Sequence, residues 1–366
     1  MRGDHLLFSI LVPVYNVERY LMECLNSIVS QDFNDYEIIL IDDGSTDLSG
    51  KLCDDFGIQY LNKCKVRHKK NEGLLAARRD AFDLACGEYC VCLDSDDYLS
   101  KGTLQFLSEL IYKYDPDFIL YDLYVVDEKG KSRNLNESKH ILKDEYLYSS
   151  TQILKDTLLD TSYNHWSMCA KCVKTKIARE KFDYKRYYGV NYGEDTLQSI
   201  ILYNTASNFV YTSRRIYNYR IGSGMTKKLP IKFVDDFYKI IQLMYLECEN
   251  WGSNLEKRID HYFVIIIFEY INNVVYSGGG FKRFKILISQ LINREEVSGA
   301  MLNFNCRVED TKEYKKCFLF RLLLNRHYFL SYILILVVKL KCLVKSKLLN
   351  IINHKKNNFY DWNVRR

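Results

Sequence analysis

The chain has 366 residues, of which 48% are hydrophobic, 27% charged and only three are proline. This composition excludes a disordered or low-complexity chain and supports a sizeable core in one large domain or two smaller ones. The net charge of +6 hides an asymmetry: from Thr311 onward 13 bases face two acids, a balance of +11, which leaves residues 1–310 at −5. No nucleic-acid-binding motif accompanies the basic tail, so nucleic acid is not an expected partner.

The N-terminal part alternates strand and helix signals. Leu7 to Val12 reads as a strand, and Pro13-Val14-Tyr15-Asn16 as the turn that closes it. Val17, Tyr20, Leu21, Cys24, Leu25 and Ile28 then recur at helical spacing. Tyr36 to Ile41 is a second strand, closed by Asp42-Asp43-Gly44-Ser45-Thr46-Asp47, with a helix expected to about Phe56. Val66 to His68 reads as a short strand, and Leu74 to Ala85 as an alanine-rich helix stopped by Gly87. Gly87 to Leu93 leads into the acidic run Asp94-Ser95-Asp96-Asp97, and Asp117 to Tyr121 is a further strand. This order predicts an α/β fold with a mostly parallel sheet flanked by helices.

After Met225 the composition shifts. Phe233–Tyr245, Ile259–Val275 and Ile286–Ile292 are apolar at helical length, and Ser277-Gly278-Gly279-Gly280 interrupts them. A helical C-terminal region is expected, with residues 1–226, 227–310 and 311–366 as successive parts. Tyr328 to Val338 is uncharged for 11 residues, short of the ~20 needed to span a bilayer. It reads as an interfacial helix whose lysines meet an anionic membrane, or as a helix that docks on the body or on another subunit. Twelve cysteines are scattered without a framework, several inside apolar runs. Leu6 to Val14 is short, follows Asp4 and lacks a small-residue cleavage site, so it is not read as a secretory signal. A reducing, cytoplasmic setting is expected. Cys169-Ala-Lys-Cys172 has zinc-like spacing but no second pair at a matching distance.

Three carboxylates within four residues at the end of a buried strand repel one another unless they are solvated or hold a cation. The Asp94-x-Asp96 spacing offers hard oxygen ligands to Mg²⁺ or Mn²⁺. No G-x-G-x-x-G follows the first strand, which argues against a dinucleotide-dependent dehydrogenase. The order Pro13-Val14-Tyr15-Asn16, Asp42 to Asp47, Asn71-Glu72-Gly73, Asp94 to Asp97 and Gly193-Glu194-Asp195 resembles family 2 glycosyltransferases, inverting enzymes of the GT-A fold. The resemblance runs from about Phe8 to Thr226.

The resemblance implies a nucleotide-sugar donor, with UDP-sugars the commonest in the family, and a hydroxyl of a glycan or lipid-linked acceptor in surface polysaccharide synthesis. Pro13, Tyr15, Asp43, Arg78, Asp94 and Asp96 match positions of the donor site. Tyr15 would wall the nucleotide and Asp43 would accept a base N–H. Asp96, helped by Asp94, would hold Mg²⁺ or Mn²⁺. Asp195 would be the general base, with Glu194 orienting the acceptor or the base. Other readings stay open: Tyr15 as a turn aromatic, Asp42, Asp43 and Asp47 as helix caps, Asp97 as a cap, and Glu194–Asp195 as an N-cap pair. Arg78 would bridge to the diphosphate or to Asp94, and Arg79 stands where the family pattern usually has asparagine. Trp166 and Lys171 resemble an acceptor-side Trp-x-Lys pattern with longer spacing. Tyr217 to Ser223 resembles the end of the catalytic domain, where a basic residue can approach the diphosphate. A nucleotidyltransferase and an inactive membrane-associated scaffold of the same fold are the competing classes.

Overall fold

The computed structural model describes residues 6–132, 141–159, 165–221, 229–304 and 311–341. Residues 222–226, at the end of the expected catalytic region, and the tail lysines beyond 341 lie outside the described residues.

Strand β1 (Phe8–Val14) is buried along its whole length, as befits a central strand covered on both faces. It is parallel to β2 (Tyr36–Asp42) on one side and to β4 (Tyr89–Cys92) on the other, and β2 is parallel to β3 (Cys64–His68). The strand continues through Pro13, where the sequence suggested a turn. Pairing with β4 stops at Leu11 opposite Cys92, whereas pairing with β2 continues to Val14 opposite Asp42. Because alternate residues of a parallel strand bond to opposite neighbours, the N–H that proline lacks would have faced the side where the ladder has ended.

Helix α1 (Leu21–Val29) lays Leu21, Cys24, Leu25 and Ile28 on the sheet, and α2 (Ser49–Gln59) buries Cys53 and Phe56. Helix α3 (Leu74–Leu84) follows β3, and α4 (Thr103–Tyr114) follows the two-residue β5 (Tyr98–Leu99). Beyond them come β6 (Phe118–Val126), β7 (Tyr146–Tyr148), α5 (Gln152–Leu158), β8 (Lys171–Lys174), α6 (Thr175–Ala178), α7 (Glu194–Thr205) and β9 (Phe209–Arg220). The sheet order is β3-β2-β1-β4-β8-β6-β9-β5, with β7 on β9. The half from β3 to β4 is parallel. Strand β8 then enters antiparallel between β4 and β6, while β6 and β9 run parallel to each other. The fold is thus a mixed, mostly parallel α/β sheet with helices, followed by a helical region.

The chain divides into two compact units, Met1–Thr226 with Asp235–Tyr262, and Lys227–Val234 with Phe263–Arg366. Residues 235–262, grouped from sequence with a separate helical region, therefore belong with the sheet. The helices of this part are α8 (Lys232–Glu247), α9 (Leu255–Tyr276), α10 (Gly280–Ile292), α11 (Glu295–Asn303), α12 (Thr311–Leu324) and one over residues 328–341. That last helix buries Tyr328, Ser331 and Ile335 and exposes Phe329, Leu330, Ile333, Val337 and Val338. Among the described residues no helix is long and apolar enough to cross a membrane.

At the end of β3 the His68 ring joins the end of β2 to α2: Nδ1 meets Asp42 Oδ2 at 2.8 Å and Nε2 meets Asp54 Oδ1 at 2.9 Å. The hydrogen bonds to Asp42 and Asp54 raise the imidazole above its usual value of 6.5. A raised folded value means the stabilisation is complete below pH 6.5 and is lost as pH climbs through the folded value. His68→Gln should therefore lower stability by ~0.5 kcal/mol at pH 6, the scale of a partly exposed pair. Urea unfolding should show that difference vanish by about pH 9, well above the histidine range; a difference that grows with pH would contradict the assignment.

Candidate active site

The loops at the carboxyl ends of β1, β2 and β4 lie side by side, because the three strands are parallel neighbours. Tyr15 follows β1 and is 50% exposed. Its turn is laced to the loop after β2. Asn16 Oδ1 accepts from Thr46 N–H at 2.8 Å, Val17 N–H donates to Ser49 Oγ at 2.9 Å, and Glu18 N–H donates to Asp47 Oδ2 at 3.1 Å. Pro13 is buried within β1 and fixes the start of this turn.

The two aspartates at the end of β2 do different work. Asp42 accepts from Ser45 N–H at 3.0 Å and from His68, closing its own loop. Asp43 is buried, and its carboxylate accepts Glu72 N–H at 3.0 Å and Gly73 N–H at 2.8 Å. It thus anchors the entry to α3 and does not cap α2; Asp47, which takes Ser49 N–H at 2.9 Å, serves that end. Burial raises Asp43 above its usual value.

Arg78, one and a half turns into α3, is 1% exposed. Its Nη2 donates to Asp94 Oδ1 at 2.8 Å and its Nη1 to Asp195 Oδ1, while Glu194 Oε1 lies 4.0 Å from Nη1. Among the described residues its buried Nε has no partner. The guanidinium thus lies on Asp94, one of its two expected partners, and adds Asp195, which the sequence did not connect to it. Arg79 turns away, donating to Ala178 O at 2.6 Å over the Tyr184 ring.

Asp97, read from sequence as a cap, instead pins β9. Tyr217 Oη–H donates to Asp97 Oδ2 at 2.7 Å, Arg220 N–H donates to Asp97 Oδ1 at 2.7 Å, and Tyr217 Oη accepts from Asp94 N–H at 3.1 Å. Burial first, then Asp96 and Asp94, push Asp97 well above the carboxylate range. Arg220, expected near a diphosphate, is buried with Nε on Asp96 O at 2.9 Å and Nη2 on Glu23 Oε2 at 2.7 Å, against the Tyr20 and Tyr98 rings.

Asp94, Asp97 and Cys169 place ligand atoms within 4.8 Å of one another. That trio does not suit a hard cation, because both Asp97 oxygens are engaged and burial keeps the Cys169 thiol protonated. The partly exposed carboxylates of the run are Asp94 and Asp96, hard oxygen donors of the kind that Mg²⁺ or Mn²⁺ takes.

Glu194 and Asp195 open α7 in its first turn, where carboxylates complement the helix dipole. Neither acts as the N-cap; that position is Gly193, at φ +85, and a Cβ there would meet Ile240 and Phe237 at 3.1 Å. Burial, then Asp195, raise Glu194 far above the usual carboxylate range. Behind them lies Lys171, fully buried, its Nζ donating to His165 O at 2.8 Å, Ser167 O at 2.6 Å and Ser199 Oγ at 3.1 Å. Burial pushes Lys171 down to about 7. Ser199 spends its own proton on Trp166 O at 2.6 Å, so the three acceptors match the three N–H of the ammonium form. Lys171 and Ser199 together hold three successive carbonyls and present the Trp166 ring at the surface, 40% exposed. The His165 ring meets Thr157 Oγ1 at 3.0 Å.

The family described as Glycosyl transferase family 2 matches residues 9–175. Residues 9–175, just under half of the chain, thus resemble glycosyltransferase family 2. It is 29% identical over 308 residues to Glycosyltransferase GlyA of Streptococcus pneumoniae, covering 79% of this chain and 42% of that protein. It is 29% identical to Glycosyltransferase GlyG of the same organism, covering 66% and 80%. It is 27% identical to the poly(ribitol-phosphate) beta-N-acetylglucosaminyltransferase TarS of Staphylococcus aureus, covering 66% and 40%. The chain thus aligns with less than half the length of GlyA and TarS. Among solved structures, S. aureus TarS 1-349 in complex with UDP-GlcNAc superposes with a TM-score of 0.57 at 21% identity, over 88% of this chain and 91% of that one. The chain therefore shares the fold of that structure.

Tyr217→Phe tests the seam between the acidic run and β9. It strips an O–H from a buried carboxylate and an acceptor from Asp94 N–H, so urea unfolding should show a loss of ~1–3 kcal/mol. Unchanged stability would mean that the seam contributes nothing.

Proposed function

We propose that the protein transfers a sugar from a UDP-sugar to a hydroxyl of a glycan or lipid-linked acceptor, with inversion at the anomeric carbon. One observation carries this reading: Arg78 joins Asp94, at the donor end of β4, to Asp195, at the start of α7. A donor-side carboxylate and a candidate base are thereby held on one face. The acceptor O–H proton passes to the Asp195 carboxylate as its oxygen bonds to the anomeric carbon. The bond from that carbon to the diphosphate oxygen breaks on the opposite side, and its electron pair leaves with the nucleoside diphosphate. Tyr15 walls the nucleotide beside the end of Pro13, and Asp43 accepts a base N–H with lone pairs that Glu72 and Gly73 leave over. Asp96 and Asp94 would hold Mg²⁺ or Mn²⁺, which supplies positive charge to the departing diphosphate. Glu194, which burial favours in its neutral form, would offer an O–H with which to orient the acceptor.

The TarS complex with UDP-GlcNAc supports a UDP-sugar donor, and relatives named for teichoic acid and poly(ribitol-phosphate) work support a surface-polymer acceptor. The exposed face Phe329, Leu330, Ile333, Val337 and Val338, with Lys339 and Lys341 close by, supports peripheral association with an anionic membrane at the cytoplasmic face.

Purified protein with a panel of nucleotide sugars should release nucleoside diphosphate from one donor only when Mn²⁺ or Mg²⁺ is present. Asp195→Asn should lower transfer by ~10²–10⁴-fold, the range for a lost general base, with UDP affinity unchanged. Asp96→Asn should weaken Mn²⁺-dependent UDP binding. Release that ignores metal, or full turnover in Asp195→Asn, would contradict the assignment.

A further inference from the structure

We propose that Arg78 is a positioning residue that sets the Asp195 carboxylate for proton transfer and locks it to the donor-side Asp94. This rests on the transferase reading above and goes beyond it, because it gives the acceptor base and the donor carboxylate one shared support. The guanidinium is planar with five N–H donors in a fixed fork, so the two carboxylates it holds are also held at a fixed angle to each other. Nη1 takes Asp195 Oδ1 and Nη2 takes Asp94 Oδ1. Among the described residues Asp195 Oδ2 has no protein partner, which leaves that oxygen to receive the acceptor's proton.

The side chain is not placed there for its own hydrogen bonding. Its buried Nε has no partner among the described residues, where an unsatisfied donor accompanies the placing of the other two nitrogens on Asp94 and Asp195. Arg78 is in turn aimed from the nucleotide side. Asp43 grips Glu72 and Gly73 N–H at the mouth of α3, and Glu72 O accepts from Gly189 N–H at 3.2 Å, in the segment that leads to Glu194. The residue proposed to touch the base of the nucleotide and the residue proposed to take the acceptor's proton are thus connected through one helix and one side chain. A lysine at 78 would keep the charge and lose the fork.

The test pairs Arg78→Lys with Arg78→Met in the full chain. Arg78→Lys should lower kcat by ~10²-fold, the scale of a misplaced reacting group, while the donor KM and the UDP affinity measured by calorimetry change by far less, through the loosened Asp94 alone. Arg78→Met should lose at least as much. A crystal structure of Arg78→Lys should show Asp195 in a different or divided rotamer. Wild-type kcat per folded molecule in Arg78→Lys, even with a lower Tm, would overturn the proposal by reducing Arg78 to a packing role; so would an unmoved Asp195. If Arg78→Met does not fold, Arg78→Lys decides. If wild-type protein turns over no donor, the transferase reading fails, and the Asp195 rotamer in Arg78→Lys still decides the positioning claim.

Discussion

One buried cation among three carboxylates governs this structure. Arg78 lies between Asp94, Asp195 and Glu194, and without it three like charges would converge in a poorly solvated place. The environment divides the charge unequally, with Glu194 driven toward its neutral form by burial and by Asp195. Removing one partner of a buried ion group typically costs ~3–5 kcal/mol, since the others are left uncompensated. The bridge is therefore a constraint on the fold as well as on the chemistry.

Each neighbouring element can be understood by what it brings to that point. Strands β1, β2 and β4 are parallel neighbours, so Tyr15, Asp43 and the acidic run emerge on one edge. Asp43 fixes the mouth of α3 and so the place of Arg78. Strand β9 returns across the sheet, and Tyr217 ties the acidic run from behind through Asp97 and Asp94 N–H. Gly193 lets α7 begin against Phe237 and Ile240, which is how residues 235–262 come to belong with the sheet. Lys171, deep under the same corner, holds the carbonyls around Trp166.

Much of the parallel half was legible from local pattern. Continuous apolar runs mark β1, β2 and β4, glycine turns mark helix entries, and Asp94 to Asp97 announces a charged loop at a strand end. What could not be read is which charges meet. Arg78 and Asp195 are 117 positions apart, and nothing in either neighbourhood names the other. Asp97 and Arg220 carry the residue types of a cation or diphosphate site, yet both are absorbed in holding β9, because buried polar groups must be paired and these pair with backbone. Pro13 reads as a turn because proline disfavours strand interiors; the early end of the β4 ladder is a tertiary fact. The antiparallel entry of β8 between β4 and β6 is equally invisible to periodicity, which gives faces and lengths but not neighbours.

The division of labour around Arg78 is tested most directly by a crystal structure of the protein with UDP and Mn²⁺, read through the Mn²⁺ anomalous signal. The cation should appear against Asp96 and Asp94, with Tyr15 and Asp43 on the nucleotide and Arg78 still joining Asp94 to Asp195. Mn²⁺ elsewhere in the molecule, or an Arg78 swung onto the diphosphate with Asp195 released, would contradict it.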